Sequence, residues 1–141
     1  MAEKLRSIVA RLREYVGNRR RAQRHRLRLP FSVSLYDPTL TGERLKHAPQ
    51  LEGATRDLST SGLALIVPAI RIGERYLIGP DVTLRIVLEH PTGPLELLAT
   101  PMRYERLDEE GASKGFLIGA RIKEMNEANR VRYEAQLREL R

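Results

Sequence analysis

The chain has 141 residues, 41% hydrophobic and 30% charged, enough for one compact domain and too apolar for a disordered one. It has no Cys and no Trp and only 5% aromatic residues, which excludes disulfides, thiolate nucleophiles and Cys-containing metal sites and leaves the core to Leu, Ile and Val. Its net charge of +7 is local: residues 1–28 hold ten Lys/Arg against Glu3 and Glu14, whereas the rest holds fifteen against sixteen acids.

In chain order, Leu5, Ile8, Val9, Leu12, Tyr15 and Val16 form a helical stripe, so residues 1–18 are expected to make an N-terminal amphipathic helix ending at Gly17 and Asn18. Such a stripe fits packing on its own domain or on a copy of itself, which makes this helix a candidate homodimer contact. No apolar run is long enough to span a bilayer, and the N-terminus has no h-region of a signal peptide. A soluble cytoplasmic protein is expected.

Residues 19–29 are an arginine arm: "RRRAQRHRLR" carries six arginines in ten residues. Behind Pro30 the period changes to two, and Phe31, Val33 and Leu35 read as a half-buried strand. Residues 37–50 are polar and rich in turn formers, a long loop. A second strand is expected over 51–58, then the turn "DLSTSG" and the apolar strand "LALIVP". The alternation of Val82, Leu84, Ile86 and Leu88 gives a fourth strand. "HPTGP" is a turn in which His90 is expected to be exposed. A fifth strand covers about 95–106, with Pro101 pointing to a bulge or an edge. The charged stretch "LDEEGASKG" is a hairpin loop, "FLIGARI" a sixth strand, and Asn126 the N-cap of a C-terminal helix over 126–140. The expected fold is mainly β: a six-stranded antiparallel barrel over residues 30–124 with that helix laid against it.

Catalytic chemistry is poorly served. His25, His47 and His90 lie in separate regions without metal spacing, and no Ser sits in a nucleophile elbow. The pair Glu109 and Glu110 lies in a polar loop. The chain reads as non-enzymatic, with no metal and no cofactor, and binding is left.

Two patterns serve binding. Arg20 and Arg24 stand in an Arg-x-x-x-Arg spacing with Arg21 beside the first, and guanidinium forks grip phosphates or the O6/N7 edge of guanine. By itself any arginine-rich run generates this spacing. The second pattern is Asp57-x-Ser59-x-x-Gly62. Read plainly it is a tight turn, with Asp57 and Ser59 capping backbone N–H groups and Gly62 supplying a positive φ. Read functionally, the carboxylate accepts from guanine N1–H and N2–H, and the glycine lets a flat base approach the backbone.

Together, in this order and with Pro30, Phe31 and "LALIVP" between and behind them, the patterns resemble the PilZ domain family over about residues 19–137. The resemblance implies a bacterial receptor for the second messenger cyclic di-GMP, with Arg20, Arg21, Arg24, Asp57, Ser59 and Gly62 as its ligand-binding residues. It also implies an arm that folds over the ligand as it binds and so signals to a downstream protein partner. Two departures are visible. The 32 residues between Arg24 and Asp57 make a longer connection than a compact member needs, and Ile122 stands where an aromatic residue is expected. Two other readings remain at this point: a basic barrel that binds RNA or DNA, disfavoured by the lack of clustered aromatics, and a degenerate PilZ module that binds only a protein.

Overall fold

The computed structural model describes residues 23–107 and 115–140. The N-terminal helix expected over 1–18, Arg20, Arg21 and most of the charged hairpin loop lie outside the described residues. The strands are β1 (His25–Arg26), β2 (Pro30–Leu35), β3 (Leu51–Leu58), β4 (Gly62–Val67), β5 (Arg71–Ile72), β6 (Arg75–Tyr76), β7 (Leu84–His90), β8 (Gly93–Leu107) and β9 (Gly115–Glu124). Helix α1 (Gly42–Lys46) interrupts the 37–50 loop, and α2 (Glu127–Glu139) closes the domain.

Six strands pair antiparallel in the order β3-β2-β7-β8-β9-β4, and β3 pairs β4 to close the barrel. Alternation decides which side chains enter. Phe31 and Val33 of β2, Leu63, Leu65 and Val67 of β4, Leu84, Ile86 and Leu88 of β7, and Ile118 and Ala120 of β9 all join one buried cluster. Each fully buried Leu or Ile contributes about 1.5–3 kcal/mol of hydrophobic free energy. Closure also removes the exposed edges that an open sheet would present.

Pro101 sits at the expected irregularity: β8 shifts register on β9 between Pro101 and Arg103, so that Met102 is the extra residue. Asn126 caps α2 by accepting from the Asn129 N–H at 2.7 Å. Tyr133 and Leu137, one helical turn apart, insert from α2 into the barrel cluster.

The structure corrects two expectations and adds one element. His90 is buried, 8% exposed, because the inward parity of Leu84, Ile86 and Leu88 continues to it along β7. The 37–50 segment is not loop throughout, since it carries α1. Residues 71–76 form a small ribbon, β5 with β6, turning at Gly73-Glu74 with Gly73 at φ +61, where only glycine is free of strain. No helix among the described residues is long and apolar enough to cross a membrane.

Candidate ligand-binding site

The arm lies on the barrel in fixed register. His25 pairs with Leu58 and Arg26 with Asp57, so β1 continues along β3 where β2 leaves off. Residues 27–29 interrupt the ladder between β1 and β2, and Thr55 bridges the gap. Its hydroxyl accepts from the Leu29 N–H at 2.9 Å and donates to the Leu27 carbonyl. Its own N–H reaches the Leu29 carbonyl at 2.9 Å. A single threonine thereby ties both sides of the interruption to β3 and sets the phase in which Arg24 emerges.

Arg24 emerges onto Asp57. Its Nη1 donates to Asp57 Oδ1 at 2.7 Å, joining the two motifs across 33 positions of sequence. The other carboxylate oxygen, Oδ2, accepts from Arg56 Nε at 3.0 Å. Arg56 is the extra residue where the β3–β4 register shifts between Thr55 and Asp57. A β-bulge of this kind re-aims a side chain, and here it turns a guanidinium onto the neighbouring carboxylate. The Asp57 side chain is 8% exposed and that of Arg24 is 36% exposed. One end of the pair is therefore fixed and the other remains open to solvent.

Ser59 and Gly62 shape the turn. Ser59 Oγ accepts from the Gly62 N–H at 3.0 Å and the Ser61 N–H at 3.3 Å, while the Ser59 N–H donates to the Gly62 carbonyl at 2.9 Å. From the far side, the Tyr133 hydroxyl donates to the Ser59 carbonyl at 2.6 Å. Burial raises the Tyr133 pKa far above the usual phenol range, so it stays a neutral donor. Gly62 is not at positive φ, contrary to the plain reading of the turn. A Cβ there would lie 2.7 Å from the Ala120 carbonyl oxygen, so glycine is required by the close approach of β9.

Of the six expected site residues, Arg24, Asp57, Ser59 and Gly62 come together at this corner of the barrel, and Arg20 and Arg21 lie outside the described residues. Sequence reasoning missed three supports. Arg56 adjoins Asp57 in sequence, which was a usable signal. Thr55 and Tyr133 act across 26 and 74 positions, and no local pattern announces them.

A family model of the PilZ domain matches residues 18–139. Among curated proteins no match was found. Among solved structures, the chain is similar to the PilZ domain with c-di-GMP of YcgR from Escherichia coli, at TM-score 0.60 and 13% identity, covering 86% of this chain and 91% of that one. It is also similar to the MrkH–c-di-GMP complex of K. pneumonia, at TM-score 0.55 and 20% identity over 86% of this chain and 51% of that one. A third is the motility inhibitor MotI/DgrA of Bacillus subtilis, at TM-score 0.51 and 13% identity over 85% and 52%. The chain thus spans about half the length of the last two.

Proposed function

This chain belongs to the PilZ domain family, and on that premise we propose that it is a non-enzymatic receptor for cyclic di-GMP. The ligand is held between the arm residues Arg20, Arg21 and Arg24 and the turn residues Asp57, Ser59 and Gly62. The observation that carries this reading is the Arg24–Asp57 pair. It places a guanidinium and a carboxylate side by side on the outer wall of the barrel, which are the two groups needed to meet phosphate and guanine.

The pair is a resting arrangement that the ligand replaces. Arg24 is the more open end of the pair, so the ligand reaches its guanidinium from solvent. Guanine N1–H and N2–H then donate to the Asp57 carboxylate, while Arg24 turns to phosphate or to a base edge. Arg56 remains on Asp57 Oδ2 and keeps the carboxylate aimed. Ser59 serves by holding the turn that presents Asp57, and Gly62 by letting β9 close behind it.

Transmission follows from the same contacts. Arg24 lies one residue before β1, so drawing it to the ligand pulls on an arm registered by Thr55. The Ser59 carbonyl is bonded to Tyr133, so the turn is also mechanically linked to α2. Either element can present a changed surface to a protein partner. Calorimetric titration with cyclic di-GMP, beside GMP and GTP, tests the reading. Saturable binding of cyclic di-GMP alone is expected, and absence of heat at high micromolar ligand with folded protein ends it.

A further inference from the structure

The register of four strands sets one row of residues across the outer wall, running from the site to the far side of β8. Asp57 of β3 pairs with Ala64 of β4, Ala64 with Gly119 of β9, and Gly119 with Arg103 of β8. Directly paired residues of an antiparallel sheet share a face, so all four look the same way. Their sequence neighbours Leu58, Leu63, Leu65, Ile118 and Ala120 join the core, so the row faces outward.

The middle of the row carries almost no side chain, and its ends carry charge. At one end Arg24 rests on Asp57. At the other, Arg103 lies down over Gly119: a Cβ on Gly119 would sit 3.3 Å from both Arg103 Cγ and Arg103 Nε. Glycine inside a strand weakens it and commonly marks a place where a ligand approaches the backbone. Here glycine is what allows the arginine to fold back toward the site. Ala64 is 1% exposed, so the row is covered in the ligand-free chain and ligand must move what lies over it. Over Gly119 that is Arg103, whose charged partner, Glu105, stands at 3.8 Å in an exposed pair that is cheap to exchange.

We propose that Arg103, across the floor formed by Ala64 and Gly119, is a further ligand-contacting residue of this site and engages the second guanine of the dinucleotide. This rests on the receptor reading given above. Asp57 and Arg103 stand three strand spacings apart, about 14 Å along the wall. With Arg103 folded back, its guanidinium lies over Gly119, two spacings from Asp57, and a ligand with two guanines spans that distance with one base at each end. The guanidinium plane either stacks on the second base or forks onto its O6/N7 edge, and both modes need arginine rather than a generic cation.

Calorimetry with cyclic di-GMP on the full chain and three variants tests this, with a thermal melt of each. Arg103→Ala is expected to weaken binding about tenfold with an unchanged melt. Arg103→Lys, which keeps the charge and loses the fork, is expected to weaken it by several-fold, and reads the same question should the alanine variant melt early. Arg71→Ala, which removes an exposed arginine from β5, is expected to bind as the unaltered chain does. Saturable binding that is the same in both Arg103 variants and the unaltered chain overturns the Arg103 assignment and leaves the receptor reading intact. An equal loss in Arg71→Ala overturns it as a general charge effect. No binding by the unaltered chain removes both.

Discussion

Two arginines hold the polar corners of this barrel, and they are held differently. Arg132 of α2 donates to Thr92 Oγ1 at 2.7 Å, the Gly93 carbonyl at 3.2 Å, the Pro94 carbonyl at 2.8 Å and Asn129 Oδ1 at 2.7 Å. Every acceptor is neutral, and three of them belong to the β7–β8 hairpin, so the guanidinium is spent on fastening the helix to that hairpin. Among the described residues, Arg24 makes one charged contact, on a carboxylate that Arg56 already holds. A fork bonded on four sides is structural. On the proposed reading, a fork whose described partner is one replaceable carboxylate is poised for a ligand. Counting arginines does not separate the two, and listing their partners does.

The largest expected effect lies at the poised corner. Arg24→Ala should weaken cyclic di-GMP binding about a hundredfold, the scale of one or two lost charge-assisted hydrogen bonds. Its melt should stay within about 0.5 kcal/mol of the unaltered chain, as for an exposed site. A large fall in stability would show that Arg24 is structural after all, and would erase the contrast with Arg132.

Gly62→Ala should act in the opposite way. Its Cβ meets a backbone oxygen that has no flexible side chain to yield, so about 2 kcal/mol of stability should be lost in denaturant titration. Arg132→Ala should cost about 1–2 kcal/mol, with cyclic di-GMP affinity within twofold of the unaltered chain. An affinity loss matching that of Arg24→Ala would mean that both corners serve the ligand.

The smallest effect is a pH dependence at the structural corner. Burial, with the Arg132 charge second, lowers the His90 pKa below its ordinary value, while the Glu139 charge and the Gln136 side chain oppose this. His90 Nδ1 stands 2.8 Å from Thr92 Oγ1 and accepts from the Thr92 N–H at 3.1 Å, which places it beside the Arg132 clamp. The unfolded chain therefore takes up a proton at higher pH than the folded one. The stability that neutral His90 supports is full above its unfolded pKa and falls as pH drops from there toward the folded value. Melting temperature should decline across that window in the unaltered chain, and His90→Gln should flatten the decline.

Much of the barrel was legible because alternation is a property of single strands. Phe31 and Val33, or Leu84, Ile86 and Leu88, show their inward face without reference to any partner. The misses have a common cause. β1 is two residues long and exists only because β3 and Thr55 hold it, so no period announces it. His90 looked like a turn residue because a proline follows it, although the parity of β7 already placed it inward. The candidate site was legible as letters, Arg24 and Asp57-x-Ser59-x-x-Gly62, and less so as geometry. The need for glycine at 62 comes from the Ala120 carbonyl of a strand nearly sixty residues later. Arg103 joins the row only through three strand pairings.

Arginine side-chain resonances in an NMR titration with cyclic di-GMP test the central contrast most directly. The account predicts that the Arg24 guanidinium signal moves as the ion pair with Asp57 is exchanged for ligand, while the Arg132 signal stays in place. A titration in which ligand binds, Arg24 stays in place and Arg132 moves would contradict it.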